Sequence, residues 1–341
     1  MDVVLSKSIN KIVPYIKAIK HNGLNAPISL HILLTDHCVN KCNMCSHWKT
    51  QDKSELDFEV IKKIWQESND YGVESICLTG GDPVLYSRFE DLLKLKRSFK
   101  LGIITSGNFK KGFDYSLISD LDFIRFSLDS LDSEKYHVIR GRNNLDEILN
   151  NLYSTLKYNE NVGINFTIQK LNISEVVDII ELVVKNKLKR LILYPVHHAE
   201  GLELTHHDKL LLANLLNFMI DTRRVNLLIP ENNLQFLHDW LCGKIKFKKP
   251  HSEVPCIINK IHLAIDAKGN VYPCETQVDD TDIQYRENSL ILGNVYNESF
   301  IDIWEENYHK EFASDKCKLC FSRYMPINEA YDELKDKQIF I

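Results

Sequence analysis

Cys38, Cys42 and Cys45 stand close together in the run LTDHCVNKCNMCSHW. Thiolates are soft ligands that favour iron–sulfur, zinc or cuprous sites. The spacing CxxxCxxC is not that of a zinc finger, which pairs a CxxC with a distant second pair. Three thiolates so close can hold three corners of a metal–sulfur cluster and leave the fourth iron without a protein ligand. A structural site closes its coordination shell, whereas an open position is where chemistry happens. A second group, Cys256, Cys274, Cys317 and Cys320, supplies four thiolates. Its ligand count suits a fully ligated cluster and a four-cysteine zinc site alike. A non-catalytic zinc protein built on both CxxC pairs, Cys42/Cys45 and Cys317/Cys320, is a remote alternative that leaves Cys38 unexplained.

Other reactive side chains carry weaker signals. Cys77 lies in an apolar run and reads as a buried structural thiol. His197 and His198 follow the apolar run RLILYPV, where an imidazole could bind substrate or act as a general base, or be a plain loop residue. Tyr194 and Glu200 share that location. His37 and His47 flank the first cysteine group as outer or solvent-facing residues, and His206 and His207 read as an exposed helix start.

These residues need a scaffold. Between about residue 28 and 196, short apolar runs alternate with amphipathic stretches. Strands are expected at 28–35, 75–81, 102–108, 123–130, 163–169 and 190–196. Helices are expected at 58–72 (with Gly72 as C-cap), 89–99, 133–139, 145–157 and 174–186. Asn172 and Glu175 have the spacing of a capping box for the last of these. The alternation implies an α/β fold with a parallel sheet and right-handed crossovers, and its Val/Ile/Leu-rich strands suit burial on both faces. After residue 196 the alternation stops: 203–222 looks helical, 223–255 is irregular and basic, and IHLAIDAKGNVYPC has a hairpin pattern. The expected divisions are an N-terminal helical extension at 1–27, the core at 28–200, a helical connection at 201–250, a cysteine-bearing module at 251–325 and a tail at 326–341.

Composition narrows the class. The chain has 341 residues, 44% hydrophobic and 26% charged, with a net charge of -5, which excludes the basic footprint of a nucleic-acid binder. The run at 210–220 is shorter than the ~20 residues that span a bilayer, and the N-terminus lacks a signal-peptide pattern. Nine cysteines in spaced groups, an odd number, read as metal sites rather than a disulfide framework. A cytoplasmic, reducing compartment is expected, with no nucleic-acid or membrane partner.

The triad, together with LTGGDP (78–83) one helix later, resembles the radical SAM superfamily. The resemblance implies a partial (β/α)6 TIM-type barrel whose triad binds a 4Fe–4S cluster, with S-adenosyl-L-methionine on the open iron. It implies reductive cleavage to a 5′-deoxyadenosyl radical that abstracts a substrate hydrogen. It places Gly80, Gly81, Asp82 and Pro83 at the amino group of S-adenosylmethionine, and TSGN (105–108), with Ser106 and Asn108, near the ligand. FSLDS followed by YHVIRG puts Ser127 on the ribose or carboxylate and Arg140 on the carboxylate, whose shape a guanidinium fork matches. Asp129 could instead cap the following helix. Asn165 is a candidate for the adenosyl end.

Cys256-x12-Gly269-x4-Cys274, followed by Cys317-x2-Cys320, resembles the twitch/SPASM-like C-terminal modules of the same superfamily. That likeness implies one auxiliary 4Fe–4S cluster ligated by all four cysteines and serving electron transfer. The implied activity is that of a radical SAM oxidoreductase. It would dehydrogenate a small hydroxylated molecule such as an aminocyclitol or sugar, with a flavodoxin- or ferredoxin-type reductant. The alternative is a maturase of a ribosomally made peptide, forming thioether or C–C cross-links or an epimer; Cys242, in WLCGK, would then be the hydrogen-atom donor rather than an inert thiol. Only about 28 residues precede the first strand, so the N-terminal peptide-recognition domain that many such maturases carry is expected to be absent.

Overall fold

The structure is a computed structural model that describes residues 23–49, 53–196, 199–221, 241–243, 256–275 and 290–310, together with Ile19, His238 and Val278. Six strands run parallel and side by side in chain order: β1 (Ser29–Leu33), β2 (Ser75–Thr79), β3 (Lys100–Thr105), β4 (Phe123–Ser127), β5 (Val162–Ile168) and β6 (Arg190–Pro195). On the far side of β1, β7 (His262–Ile265) pairs parallel to it, and β8 (Asn270–Tyr272) and β9 (Gly293–Asn294) extend the sheet antiparallel. The order β6-β5-β4-β3-β2-β1-β7-β8-β9 leaves the barrel open, with β6 and β9 as its edges. Among the described residues no helix is long and apolar enough to cross a membrane.

The strands are joined by α1 (Phe58–Tyr71), α2 (Phe89–Leu93), α3 (Ser133–Arg140), α4 (Leu145–Leu156) and α5 (Val176–Lys185); α6 (His206–Asp221), α7 (Ile258–Ile261) and α8 (Phe300–Tyr308) follow. Local chemistry sets their limits. The Asp57 carboxylate accepts from the Glu59 N–H to start α1, and Gly72, at φ 83°, ends it in the left-handed conformation that glycine adopts without strain. A Thr205/Asp208 pair caps α6 reciprocally, Asp208 accepting from the Thr205 N–H at 2.9 Å and Thr205 from the Asp208 N–H at 3.1 Å.

The core lies between the sheet and its helices. Leu30, Ile32, Ile76, Leu78, Leu101, Ile103, Ile124, Phe126, Ile164, Phe166 and Leu191 are buried against Ile61, Ile64, Trp65, Ile148, Leu152, Ile179 and Val183. Each such side chain contributes roughly 1.5–3 kcal/mol. The opposite face is different. Its positions include His31, Cys77, Arg125, Asn165 and Tyr194, all half-buried, so burial alternates along the strands instead of being continuous on both faces. Among the described residues that face also carries a small buried cluster, Leu33, Ala264, Tyr272 and Val278. Cys77 is therefore an inner-face thiol rather than a buried structural one.

Two local expectations are also corrected. The helix foreseen at 89–99 stops at Leu93. Beyond it, the Ser98 N–H donates to Asn69 Oδ1 at 2.7 Å and Arg97 Nη2 to the Asp120 carbonyl at 2.8 Å, which draws the chain out toward β3. Asn172 and Glu175 do not form a capping box. Asn172 Nδ2 donates to the carbonyls of Asp129 and Thr167. Glu175 Oε2 accepts from Ser130 Oγ at 2.8 Å and from the N–H groups of Leu131 (2.7 Å) and Asp132 (3.2 Å), holding the turn after β4. A buried carboxylate accepting three hydrogen bonds is costly to remove. Glu175→Ala should lose about 2–3 kcal/mol, while exposed Ser174→Ala stays within about 0.5 kcal/mol of the parent; denaturant unfolding monitored by circular dichroism measures both.

Candidate active site

The first cysteine group, GGDP, TSGN, FSLDS and Asn165 lie at or near the C-terminal ends of β1 to β5. The cysteine loop leaves β1 and is gripped from two sides by backbone. On one side, the Gly81 N–H donates to the Thr35 carbonyl at 2.6 Å and the Asp82 N–H to the His37 carbonyl at 2.8 Å. A Cβ at Gly80 would lie 2.4 Å from Thr35 O, and one at Gly81 2.4 Å from His37 O. The glycines of GGDP thus admit the chain's own cysteine loop. On the other side, the N–H groups of Lys41 and Asn43 donate to the last carbonyls of α3, Arg140 (3.0 Å) and Ile139 (2.9 Å). Gly141, at φ 71°, passes so close that a Cβ would sit 2.8 Å from the Lys41 carbonyl. Trp48 Nε1 donates to the Cys42 carbonyl at 3.0 Å and closes the turn around the thiols.

Cys42 is buried, and Cys38 and Cys45 are half-buried. Burial, followed by the Asp82 carboxylate, pushes the Cys38 thiol up to about 12, and the two neighbouring thiols add to the rise. Three adjacent thiolates here need positive charge, and a coordinated metal supplies it.

Asp82 is buried and anchors a polar chain. Its carboxylate accepts from Thr105 Oγ1 at 2.6 Å and from Ser106 Oγ; burial raises its pKa and these hydrogen bonds oppose the rise. Asn108 Nδ2 donates to Ser106 Oγ at 2.6 Å and reaches Asn40 Oδ1 at 3.4 Å, while Asn144 Nδ2 donates to Asn108 Oδ1 at 2.8 Å. Among the described residues Asn40 Nδ2 and Asn165 Oδ1 are buried without a partner. One donor and one acceptor so left are what a polar ligand would satisfy. With three thiols and these two groups, the residues fit a cluster that carries a small polar ligand.

Arg140 links this chemistry to the loop. Nε pairs with Asp129 Oδ2 at 2.9 Å, Nη1 donates to Cys42 Sγ at 3.3 Å, and Nη2 donates to the Ser127 carbonyl. Asp129 is not a helix cap: its Oδ1 accepts from the Thr167 N–H at 2.7 Å, and the cap of α3 is Asp132, accepting from Glu134 and Lys135. Nη1 and Nη2 each use one of their two N–H groups within the chain and Nε faces Asp129 in the ion pair, leaving one N–H on each of Nη1 and Nη2 for a carboxylate. Register sets Ser127 beside Asn165. Pro83 is buried at the start of a short 3-10 turn.

Of the second cysteine group, Cys274 is buried just beyond β8 and Cys256 is half-buried before α7; Cys317 and Cys320 lie outside the described residues, as do His197 and His198. Cys242 is half-buried, its Sγ 3.6 Å from His238 Nε2. Glu200, His206, His207 and His37 are exposed. Sequence reading missed Asn40, Thr105 and Asn144: Asn40 sits inside the cysteine spacing and Thr105 in TSGN, but single polar residues carry no period to mark them.

Known proteins share parts of this chain's sequence and fold. Residues 32–183 match the radical SAM superfamily and residues 256–321 match SPASM, an iron–sulfur cluster-binding domain. The chain is 32% identical over 167 residues to a probable GTP 3′,8-cyclase of Thermococcus kodakarensis, covering 46% of this chain and 53% of that protein. It thus spans about half the length of that relative. Among solved structures, Streptococcus suis SuiB bound to S-adenosylmethionine superposes with a TM-score of 0.65 at 20% identity, over 84% of this chain and 68% of that one. The structure of anSMEcpe with bound AdoMet superposes with a TM-score of 0.64 at 18% identity, over 89% and 88% of the two chains. At such identities the likeness is one of fold.

The grip on the loop is testable. Gly80→Ala forces a Cβ against backbone at φ 128°, whereas Gly112→Ala, at φ 79°, meets nothing within 4 Å. Gly112→Ala should cost about 1 kcal/mol of backbone strain, and Gly80→Ala about 3 kcal/mol or more, both read by denaturant melts.

Proposed function

Because the chain is a radical SAM protein with a C-terminal SPASM domain, we propose that it is an oxidoreductase acting on a small hydroxylated substrate such as an aminocyclitol or sugar. Cys38, Cys42 and Cys45 would hold a 4Fe–4S cluster with one iron open to S-adenosyl-L-methionine, and Cys256, Cys274, Cys317 and Cys320 an auxiliary 4Fe–4S cluster. When bound, these groups supply a 5′-deoxyadenosyl radical that takes one hydrogen atom from an unactivated C–H bond, and a one-electron acceptor.

The chain's own residues do the rest. The Gly80–Pro83 turn fixes the loop and offers its backbone to the methionyl amino group, and the two remaining Arg140 N–H groups receive the carboxylate. Ser106, Asn108 and Ser127 line the approach, and Asn40 and Asn165 offer the donor and the acceptor left without partners. The observation that carries the substrate class is the inner face of the sheet. His31, Thr79, Arg125, Asn165 and Tyr194 make it polar and half-buried, which suits a substrate rich in hydroxyl groups and able to be oriented by hydrogen bonds. Pairing of β7 with β1 sets Cys274's hairpin on the same sheet as the first cysteine loop, at the end where β1 begins. His197 and His198, which follow β6 in the sequence, are candidates to accept the proton lost on oxidation.

A second reading, maturation of a ribosomally made peptide, draws on the fold shared with SuiB, whose structure was also determined with its precursor peptide SuiA. In that case Cys242 would deliver the hydrogen atom of an epimerisation.

Anaerobically reconstituted protein should be brown, with about eight irons per chain for two 4Fe–4S clusters. Given dithionite and S-adenosylmethionine it should release 5′-deoxyadenosine, and Cys42→Ala should release none. With C–H-deuterated aminocyclitols or sugars, deuterium should appear in 5′-deoxyadenosine and the product should lack two hydrogens. Absence of 5′-deoxyadenosine contradicts the enzyme reading. Turnover of a peptide without change of mass, abolished by Cys242→Ala while cleavage continues, selects the epimerase.

A further inference from the structure

On the inner face, away from the cysteine loop, three side chains from three separate elements converge. His31 comes from the middle of β1, His262 from the first position of β7, and Glu275 from the residue after Cys274. One ring nitrogen of each histidine and a carboxylate oxygen of Glu275 all lie within 4.8 Å of one another. We infer that His31, His262 and Glu275 form a site for a divalent first-row transition-metal ion, separate from both cysteine groups, with a coordination position left open for water or a substrate heteroatom.

Four features carry this assignment. First, the donor set is two imidazoles and one carboxylate, which binds zinc with a fourth position open and ferrous iron with more. Second, the spacing is close to that of a loaded site. At metal–ligand distances of about 2.0–2.1 Å, neighbouring ligands of a tetrahedral ion stand about 3.3 Å apart. His262 Nε2 and Glu275 Oε2 are already 3.1 Å apart, and a ring nitrogen of His31 lies within 4.8 Å of both. Third, the His262 ring is oriented through a hydroxyl: Ser29 Oγ lies 2.7 Å from Nδ1 while Nε2 faces Glu275. Outer hydrogen bonds of that kind fix the tautomer and direction of metal-bound histidines.

Fourth, the group is shielded but reachable. The Glu275 side chain is 6% exposed and that of His262 12%, and His31 is half-buried on the polar face. An ordinary ion pair between His262 and Glu275 would serve to pin the hairpin to β7. A second imidazole, from β1, stands beside that pair with its ring edge-on to the first at 6.4 Å. The parallel register explains how the three come together. Ser29 is level with His262, so His31 sits two positions further along the same face.

The cluster-loaded full chain is stripped of loosely held metal with EDTA under anaerobic conditions, given zinc sulfate and desalted. Zinc and iron are counted by mass spectrometry, and the zinc K-edge absorption spectrum is recorded. A single zinc equivalent should remain, surrounded by nitrogen and oxygen at about 2.0–2.2 Å, with iron unchanged. His31→Gln and Glu275→Gln should each hold at least about tenfold less zinc at the same free zinc while keeping their iron. Zinc absent from the parent protein, a sulfur shell near ~2.3 Å, or parental zinc in both variants overturns the site. If a variant loses iron as well, the absorption spectrum of the parent decides alone. Iron content reports the two clusters separately, so a failure of the zinc site is distinct from a failure of the proposed enzyme.

Discussion

Backbone packed against backbone is the constraint on which the rest depends. The cysteine loop has almost no secondary structure of its own, yet its three thiols must converge on one point. It is held because Gly80 and Gly81 on one side and Gly141 on the other let three strands' worth of connecting chain approach to distances that a Cβ would forbid. Hydrogen bonds at Thr35, His37, Lys41 and Asn43 then fix its path to the ends of β2 and α3. Rigid placement of this kind is what a site with an open coordination position requires, since no fourth protein ligand helps to define it.

Around the loop the chain spends buried charge. Asp82 is enclosed with Thr105 and Ser106, and Asp129 with Arg140. Burial raises the pKa of both carboxyls, and for Asp129 the neighbouring guanidinium opposes that rise. Removing one partner of such a pair leaves an uncompensated charge, so these residues hold their geometry firmly even where their net contribution to stability is small. Through its contact with Cys42 Sγ, Arg140 also joins the loop to the end of β4. The sheet itself divides the labour: its helix-covered face supplies the main hydrophobic core, and the other face carries half-buried polar side chains beside a small apolar cluster.

The fold and the motifs were legible in the sequence to different degrees. All six parallel strands could be read because apolar runs alternate with helical periods, and Gly72 marked the end of α1 by the φ it must adopt. The cysteine spacing and GGDP were readable because glycine and thiol have few substitutes in those roles. Side-chain partnerships across the sheet were not. Asn172 and Glu175 have capping-box spacing, yet both turn to the segment after β4, because tertiary acceptors and donors there compete with the local cap. Asp129 was open between two roles, and only the position of Arg140 decides between them. His31, His262 and Glu275 lie 231 and 13 residues apart in the chain (262 − 31; 275 − 262); the β1–β7 register and the β7–β8 hairpin bring them together.

The central claim is that the clamped triad leaves one iron accessible to an external ligand. The most direct test uses protein in which Cys256 and Cys274 are both replaced by alanine, so that only the first cluster is loaded. Its reduced cluster is followed by electron paramagnetic resonance before and after S-adenosylmethionine is added. The account predicts that the ligand changes the g-values of the signal, because it binds the iron the three thiolates leave open. A signal that is the same with and without S-adenosylmethionine would contradict it.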